Sequence, residues 1–175
     1  NGVFYLYYMD KVATSNDGLK FENSVPVNDT NDFRALKLPD GTFRRYYWDE
    51  RGRTPSKVYG LKSKSSKDGV HFTDDLGYRY QLDAGDHDTA GIHAFFVDDV
   101  GGVVLLYIGD LLGLNNIRRA YSKDNGWTFE FDRRNVLGDA RDGKPGSFID
   151  HKVVNLDNGK IRLFAVRQGS TYSFI

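Results

Sequence analysis

The residues with the most chemical potential in this chain are carboxylates that recur at matching places. Asp10, Asp49 and Asp110 each close a run of aromatic and branched residues, and Arg167 stands at the same offset in a fourth run. Glu50 follows Asp49 directly, while Asp32 and Asp150 stand at the start of short apolar runs. Two carboxyl groups held close together divide their labour, because repulsion raises one pKa and leaves the other low. A protonated carboxyl facing an ionised one can cleave a glycosidic bond, one as general acid and the other as base or nucleophile. The candidate catalytic residues are therefore Asp32 as base or nucleophile and Glu50 or Asp150 as general acid, with Asp49 tuning its neighbour. Candidate substrate contacts are Asp10, Arg34, Asp49, Trp48, His93, Asp110, His151 and Arg167. Tyr47, Trp48 and Tyr107 offer rings on which a sugar could stack. An Asp at a strand end also starts turns and solvates an edge, so residue type alone leaves both roles open.

These residues are positioned by a repeat. Four segments begin with Asn, Asp or Gly followed by Gly: Asn1-Gly2, Asp40-Gly41, Gly101-Gly102 and Asn158-Gly159. Each is a hairpin signal that leads into an aromatic or branched strand. A second motif interleaves with the first, at Ser15-Asn16-Asp17-Gly18, Ser66-Lys67-Asp68-Gly69 and Ser122-Lys123-Asp124-Asn125-Gly126. Apolar runs from Phe33, Ile92 and Ile149 precede three of the hairpin glycines. One unit is thus strand, Gly turn, strand, loop, strand, Ser-x-Asp turn, strand. Four antiparallel strands in roughly 50 residues is the size of one propeller blade. The fold class expected is all-β: a β-propeller of four-stranded antiparallel blades in a single domain over residues 1–175. The blades run 1–31 (partial), 32–91, 92–147 and 148–175 (partial), about three and a half in all, by the repeat logic of propellers.

That count leaves a ring unclosed, so a homo-oligomer or further chain segments would have to complete it. In a four-stranded up-and-down blade, innermost strand starts and second-strand ends share one face. The Gly hairpins and Ser-x-Asp turns share the other. The carboxylates above all fall on the first face. The Asp and Ser of the second motif read as turn builders, because their oxygens accept backbone N–H bonds and Gly takes φ > 0. The pairs Arg44-Arg45, Arg118-Arg119 and Arg133-Arg134 read mostly as surface charge.

Composition narrows the function. The chain has 24 basic and 24 acidic residues and a net charge of zero, which speaks against a broad nucleic-acid binder. No apolar run approaches the roughly 18 residues of a membrane span, and no signal segment is legible at the start. The absence of Cys removes disulfides, thiolate metal sites and cysteine nucleophiles. The histidines are too scattered to suggest a metal centre, so neither metal nor cofactor is expected. Gly138 to Pro145 has the spacing of a phosphate-binding loop, but Pro145 stands where a Ser or Thr would hold Mg²⁺.

The segment Ser122 to Phe129 resembles the Asp-box of sialidases and related propellers. Ile149 to Phe164 is similar to a blade start in the five-bladed arabinanase, xylosidase and fructosidase-like enzymes. The resemblance implies a glycosidase propeller with a carbohydrate as partner, and a secreted or periplasmic setting. It implies a catalytic Asp at a blade start, the position of Asp32 and Asp150, and a Glu general acid on another blade. His93 stands where a third Asp would fall, and Arg34 and Arg167 could be two of a sialidase's arginines. Only Glu22, Glu50 and Glu130 are present, and of these only Glu50 falls on the expected site face. The other reading is a non-catalytic module that binds glycan or protein, truncated and completed by a partner chain.

Overall fold

The computed structural model describes residues 2–27, 34–49, 60–81, 89–111, 114–137, 147–156, 160–168 and 173–174. The fold is all-β, with several antiparallel sheets and no helix among the described residues. No helix there is long and apolar enough to cross a membrane.

The first sheet has the order β1 (Phe4–Tyr8), β2 (Lys11–Ser15), β3 (Glu22–Pro26). The second runs β4 (Arg34–Lys37), β5 (Phe43–Asp49), β6 (Gly60–Ser66), β7 (Thr73–Asp74), and β8 (Tyr80–Gln81) also pairs with β6. The third is a four-stranded meander: β9 (Thr89–Val97), β10 (Val103–Leu111), β11 (Leu114–Ser122) and β12 (Glu130–Leu137). The last has β13 (Ser147–Asn155), β14 (Ile161–Gln168) and β15 (Ser173–Phe174). Sheet breaks therefore fall close to the repeat boundaries, with β9 starting three residues ahead of Ile92. The chain forms two compact units. One comprises residues 1–47 and 62–77, the other 48–61 and 78–175.

The turns explain why the sheets look alike. In the first Ser-x-Asp turn the Ser15 hydroxyl donates to Asp17 Oδ1 at 2.8 Å and accepts from the Gly18 N–H at 2.9 Å. Ser66, Asp68 and Gly69 repeat this at 2.9 and 3.0 Å. Ser122, Asp124 and Gly126 do so at 2.7 and 2.9 Å. Each Asp also collects the backbone N–H groups that follow it, at 2.8 to 3.1 Å. The third copy is one residue longer, and a second left-handed residue absorbs the insertion. Asn125 takes φ 58 beside Gly126 at φ 77, as Asn does more readily than most residues. The expected structural role of these aspartates is what the hydrogen bonds show.

In the second unit the core lies between the third and fourth sheets. Val104, Leu106 and Ile117 pack with Phe148 and Ala165, flanked by Phe96, Tyr121, Val153 and Leu163. Val103 to Ile108 are buried without interruption, as expected for a strand apolar on both faces. Phe148 and His151 are both buried, although three residues apart they would alternate to opposite faces. A register shift between Phe148 and Asp150 inserts the residue that brings both to one side.

In the first unit Tyr5 stacks edge-on to Phe43 at 5.0 Å, and Tyr7 meets Phe72 at 6.3 Å and donates to the Gly69 carbonyl at 2.7 Å. Here the arginine expectation fails. Arg44 and Arg45 are 3% and 2% exposed. Arg44 lies 3.6 Å from Asp75, which also accepts from Ser63 and Ser65 at 2.5 and 2.9 Å. Arg45 lies over the Phe72 ring at 5.0 Å. In the second unit Arg118 is buried over Phe131, and Arg79 over Trp127. A guanidinium can be buried when a carboxylate or a ring face replaces water. Those partners are distant in sequence and invisible to a reading of neighbouring residues.

Candidate functional site

In the third sheet the two turn types share one end, because antiparallel pairing returns each strand to the level where its neighbour began. Val103 lies opposite both Ser122 and Val97, so the Gly101 hairpin and the Ser122 turn sit together. The far end of that sheet carries Leu111 opposite Leu114, and Gly109 opposite Thr89. In the first sheet Phe4 opposite Ser15 marks the turn end, and Tyr8 opposite Lys11 marks the end carrying Asp10. In the last sheet Ser147 lies opposite Gln168 and Asn155 opposite Ile161. Asp110 therefore belongs to the end of its sheet away from the Ser122 turn and the Gly101 hairpin, and Arg167 to the end of its sheet away from the Asn155–Ile161 pair.

Several candidates are placed in detail. Asp10 is exposed in the turn between β1 and β2, where its carbonyl accepts from Val27 N–H at 2.6 Å. Asp49 ends β5 and accepts a hydrogen bond from the Tyr78 hydroxyl at 3.1 Å. The Tyr78 ring is seated against Gly60, where any Cβ would fall inside the ring. Gly60 thus positions Tyr78, and Tyr78 orients the Asp49 carboxylate.

The rings expected to stack on sugar are otherwise engaged. Trp48 is 7% exposed and lies 5.9 Å from Tyr107, which is fully buried. The Tyr107 and Tyr80 hydroxyls share a hydrogen bond of 3.0 Å. Tyr47 directs its hydroxyl to Asp74 at 3.4 Å, and burial raises its pKa, with Asp74 adding to the effect. His151 is buried and its Nε2 lies 3.0 Å from the Leu106 carbonyl. A carbonyl only accepts, so Nε2 carries the proton, and the imidazole ties β13 to β10. That gives Trp48, Tyr107 and His151 packing duties.

Register also revises one equivalence. His93 pairs opposite Tyr107. The repeat partner of Tyr107 in β14 is Phe164, which pairs opposite Lys152. His93 therefore corresponds to Lys152 and not to Asp150, so it does not occupy the place of a third Asp. Asp150 itself lies opposite Val166, beside the β13 irregularity. Arg34 lies opposite Tyr46 at the start of β4. Asp32 and Glu50 lie outside the described residues, as does the loop Gly138 to Pro145.

Among the described residues no group of three or more His, Cys, Asp or Glu could hold a metal ion. A cavity of about 170 Å³ in the first unit is lined by Pro26, Val27, Arg45, Lys64, Val70, His71, Phe72 and Thr73. None of the expected site residues lines it. The electrostatic extremes belong to turns. Hydrogen bonds from the backbone of Lys20 and Leu19 and from Ser15 lower the Asp17 pKa to about 2. His71 and the backbone behind it hold Asp68 well below the usual carboxylate range. These shifts come from turn hydrogen bonds, and a perturbed pKa here marks structure and not catalysis.

The likeness of this chain to known proteins is one of sheet organisation. No family model matches the chain, and no curated protein matches it. Solved structures do. An endo-arabinase from Bacteroides thetaiotaomicron matches with a TM-score of 0.62 at 14% identity, over 98% of this chain and 72% of that one. A glycosyl hydrolase from Bacteroides ovatus matches at 0.56 and 19%, over 87% of this chain and 51% of that one. A β-fructofuranosidase from Bombyx mori matches at 0.55 and 18%, over 89% of this chain and 35% of that one. At such identities the likeness is one of fold. The chain spans about half or less of the last two.

Proposed function

We propose that this chain belongs to a carbohydrate-active β-propeller and contributes to cleavage of a glycosidic bond by paired carboxylates. The four sheets are then blades, partial at 1–31 and 148–175 and complete at 32–91 and 92–147. The observation that carries the reading is the fold likeness to an endo-arabinase, a glycosyl hydrolase and a β-fructofuranosidase. Strand-end carboxylates away from the turns support it. In this mechanism Asp32 is base or nucleophile and Glu50 or Asp150 is general acid, while Tyr78 steadies Asp49. Asp10, Arg34, His93, Asp110 and Arg167 contact the sugar. The separation of the two carboxyls would decide between retention and inversion.

The test is turnover of a panel of aryl glycosides and arabinan by the native chain and by Asp150→Asn. The expected result is measurable native activity, abolished in the variant with an unchanged thermal midpoint. Equal activity in the two proteins would remove Asp150 from the mechanism. A second reading, a glycan-binding module without catalysis, is favoured by the carboxylates with shifted pKa among the described residues, Asp17, Asp68 and Asp124, all of which serve turns. It predicts retention of arabinan in affinity electrophoresis with no reducing ends released.

A further inference from the structure

The cavity of about 170 Å³ in the first unit contains none of the residues assigned to glycoside cleavage, and its walls have a sign. Arg45 and Lys64 are cations, and His71 becomes one when protonated. None of the described residues that line the cavity is acidic. The basic groups are layered by depth: Arg45 is 2% exposed, the Lys64 side chain 19% and the His71 side chain 86%. The guanidinium therefore lies deepest and the imidazole at the mouth. The nearby carboxylates do not fill this space. Asp75 lies against Arg44, and successive strand residues turn to opposite faces. Asp74 meets Lys64 at 3.4 Å and Asp68 meets His71 at 2.7 Å, and both carboxylates are exposed.

We infer that this cavity binds a small organic carboxylate carried on a ring-sized apolar body. The Arg45 guanidinium lies over the Phe72 ring at 5.0 Å. A guanidinium packed on a ring keeps its N–H donors at its edges, where a carboxylate takes two of them side-on. The attraction is strongest at the floor, because buried charges are screened least. The Lys64 ammonium adds a point charge from the wall. Pro26, Val27, Val70 and Phe72 supply carbon surface, and Thr73 supplies a hydroxyl. Size selects the body of the ligand. The volume equals that of about five or six waters, which is too roomy for a bare inorganic ion and suits an acid group borne on a six-membered ring.

The experiment titrates the chain with benzoate, benzamide and inorganic phosphate, read by calorimetry and by the amide resonances of Val70 to Thr73. Benzamide keeps the ring and removes the charge, while phosphate keeps the charge and removes the ring. Benzoate should saturate with a Kd of about a millimolar or tighter, and about tenfold or more tightly than either comparator. Lys64→Met should weaken benzoate about fivefold or more, and Arg45→Met should abolish saturation. Arg45 is buried, so its variant is scored only where a thermal melt shows it folded; otherwise the partly exposed Lys64 decides. Benzamide or phosphate binding as tightly as benzoate would overturn the inference. So would the absence of saturable benzoate binding by the native chain, or native affinity in Lys64→Met.

Discussion

Gly60→Ala tests whether a single missing methyl group positions Asp49. Gly60 opens β6 opposite Gln81 and is buried. An added Cβ falls inside the Tyr78 ring, meeting its inner carbons and not only its tip. The whole ring must therefore swing away and release its hydrogen bond to Asp49. Overpacking of this kind costs about 1–3 kcal/mol, and the lost bond adds about 0.5–1.5 kcal/mol. Ala recovers about 0.4–1 kcal/mol by restricting the unfolded chain. The net loss is about 1–3 kcal/mol, or roughly 3–10 °C in midpoint for a domain of this size. Thermal melts of native, Gly60→Ala, Tyr78→Ala and the double variant give the answer. In the Tyr78→Ala background the new methyl has no ring to strike, so Gly60→Ala should cost nothing there. An undiminished cost in that background would refute the reasoning, since the clash would lie elsewhere.

Phe148→Ala should cost about 3–5 kcal/mol, read from the urea midpoint, because it empties the core shared by the third and fourth sheets. Asp17→Asn should be less stable than the native chain at neutral pH, with the gap closing in acid. The native carboxylate has a folded pKa near 2, below its unfolded value. Its contribution is therefore complete above that unfolded value and disappears as pH falls through about 2. Melts of both proteins across that range check the sign. A gap that widens in acid would contradict it.

The sheets were legible because turn chemistry is local. Ser, Asp and Gly at fixed offsets specify a turn without reference to anything distant, and the hydrogen bonds follow. Burial was less legible. Arg44 and Arg45 look like surface charge until Asp75 and Phe72 fold against them, some thirty positions along, and such contacts have no local signature. His151 reads as a rim residue under strict alternation. A one-residue irregularity in β13 turns it into the core, and nothing in Phe148 to His151 announces it. The catalytic proposal draws on residues from separate repeats, whose spacing in sequence says nothing about their separation in space.

The two tryptophans have a consequence for anyone who follows this protein by light. Trp48 is buried against Tyr107 next to Asp49, while Trp127 is 41% exposed beneath Arg79 in a Ser-x-Asp turn. Their emission is therefore spectrally separable, blue from the first and red from the second. A collisional quencher such as acrylamide reaches Trp127 first and leaves Trp48 as a clean signal. Loss of the red component before the blue one during denaturation would time the opening of the turn against that of the core. A ligand bound near Asp49 would perturb only the blue one, so native fluorescence can serve as a titration signal without any attached dye.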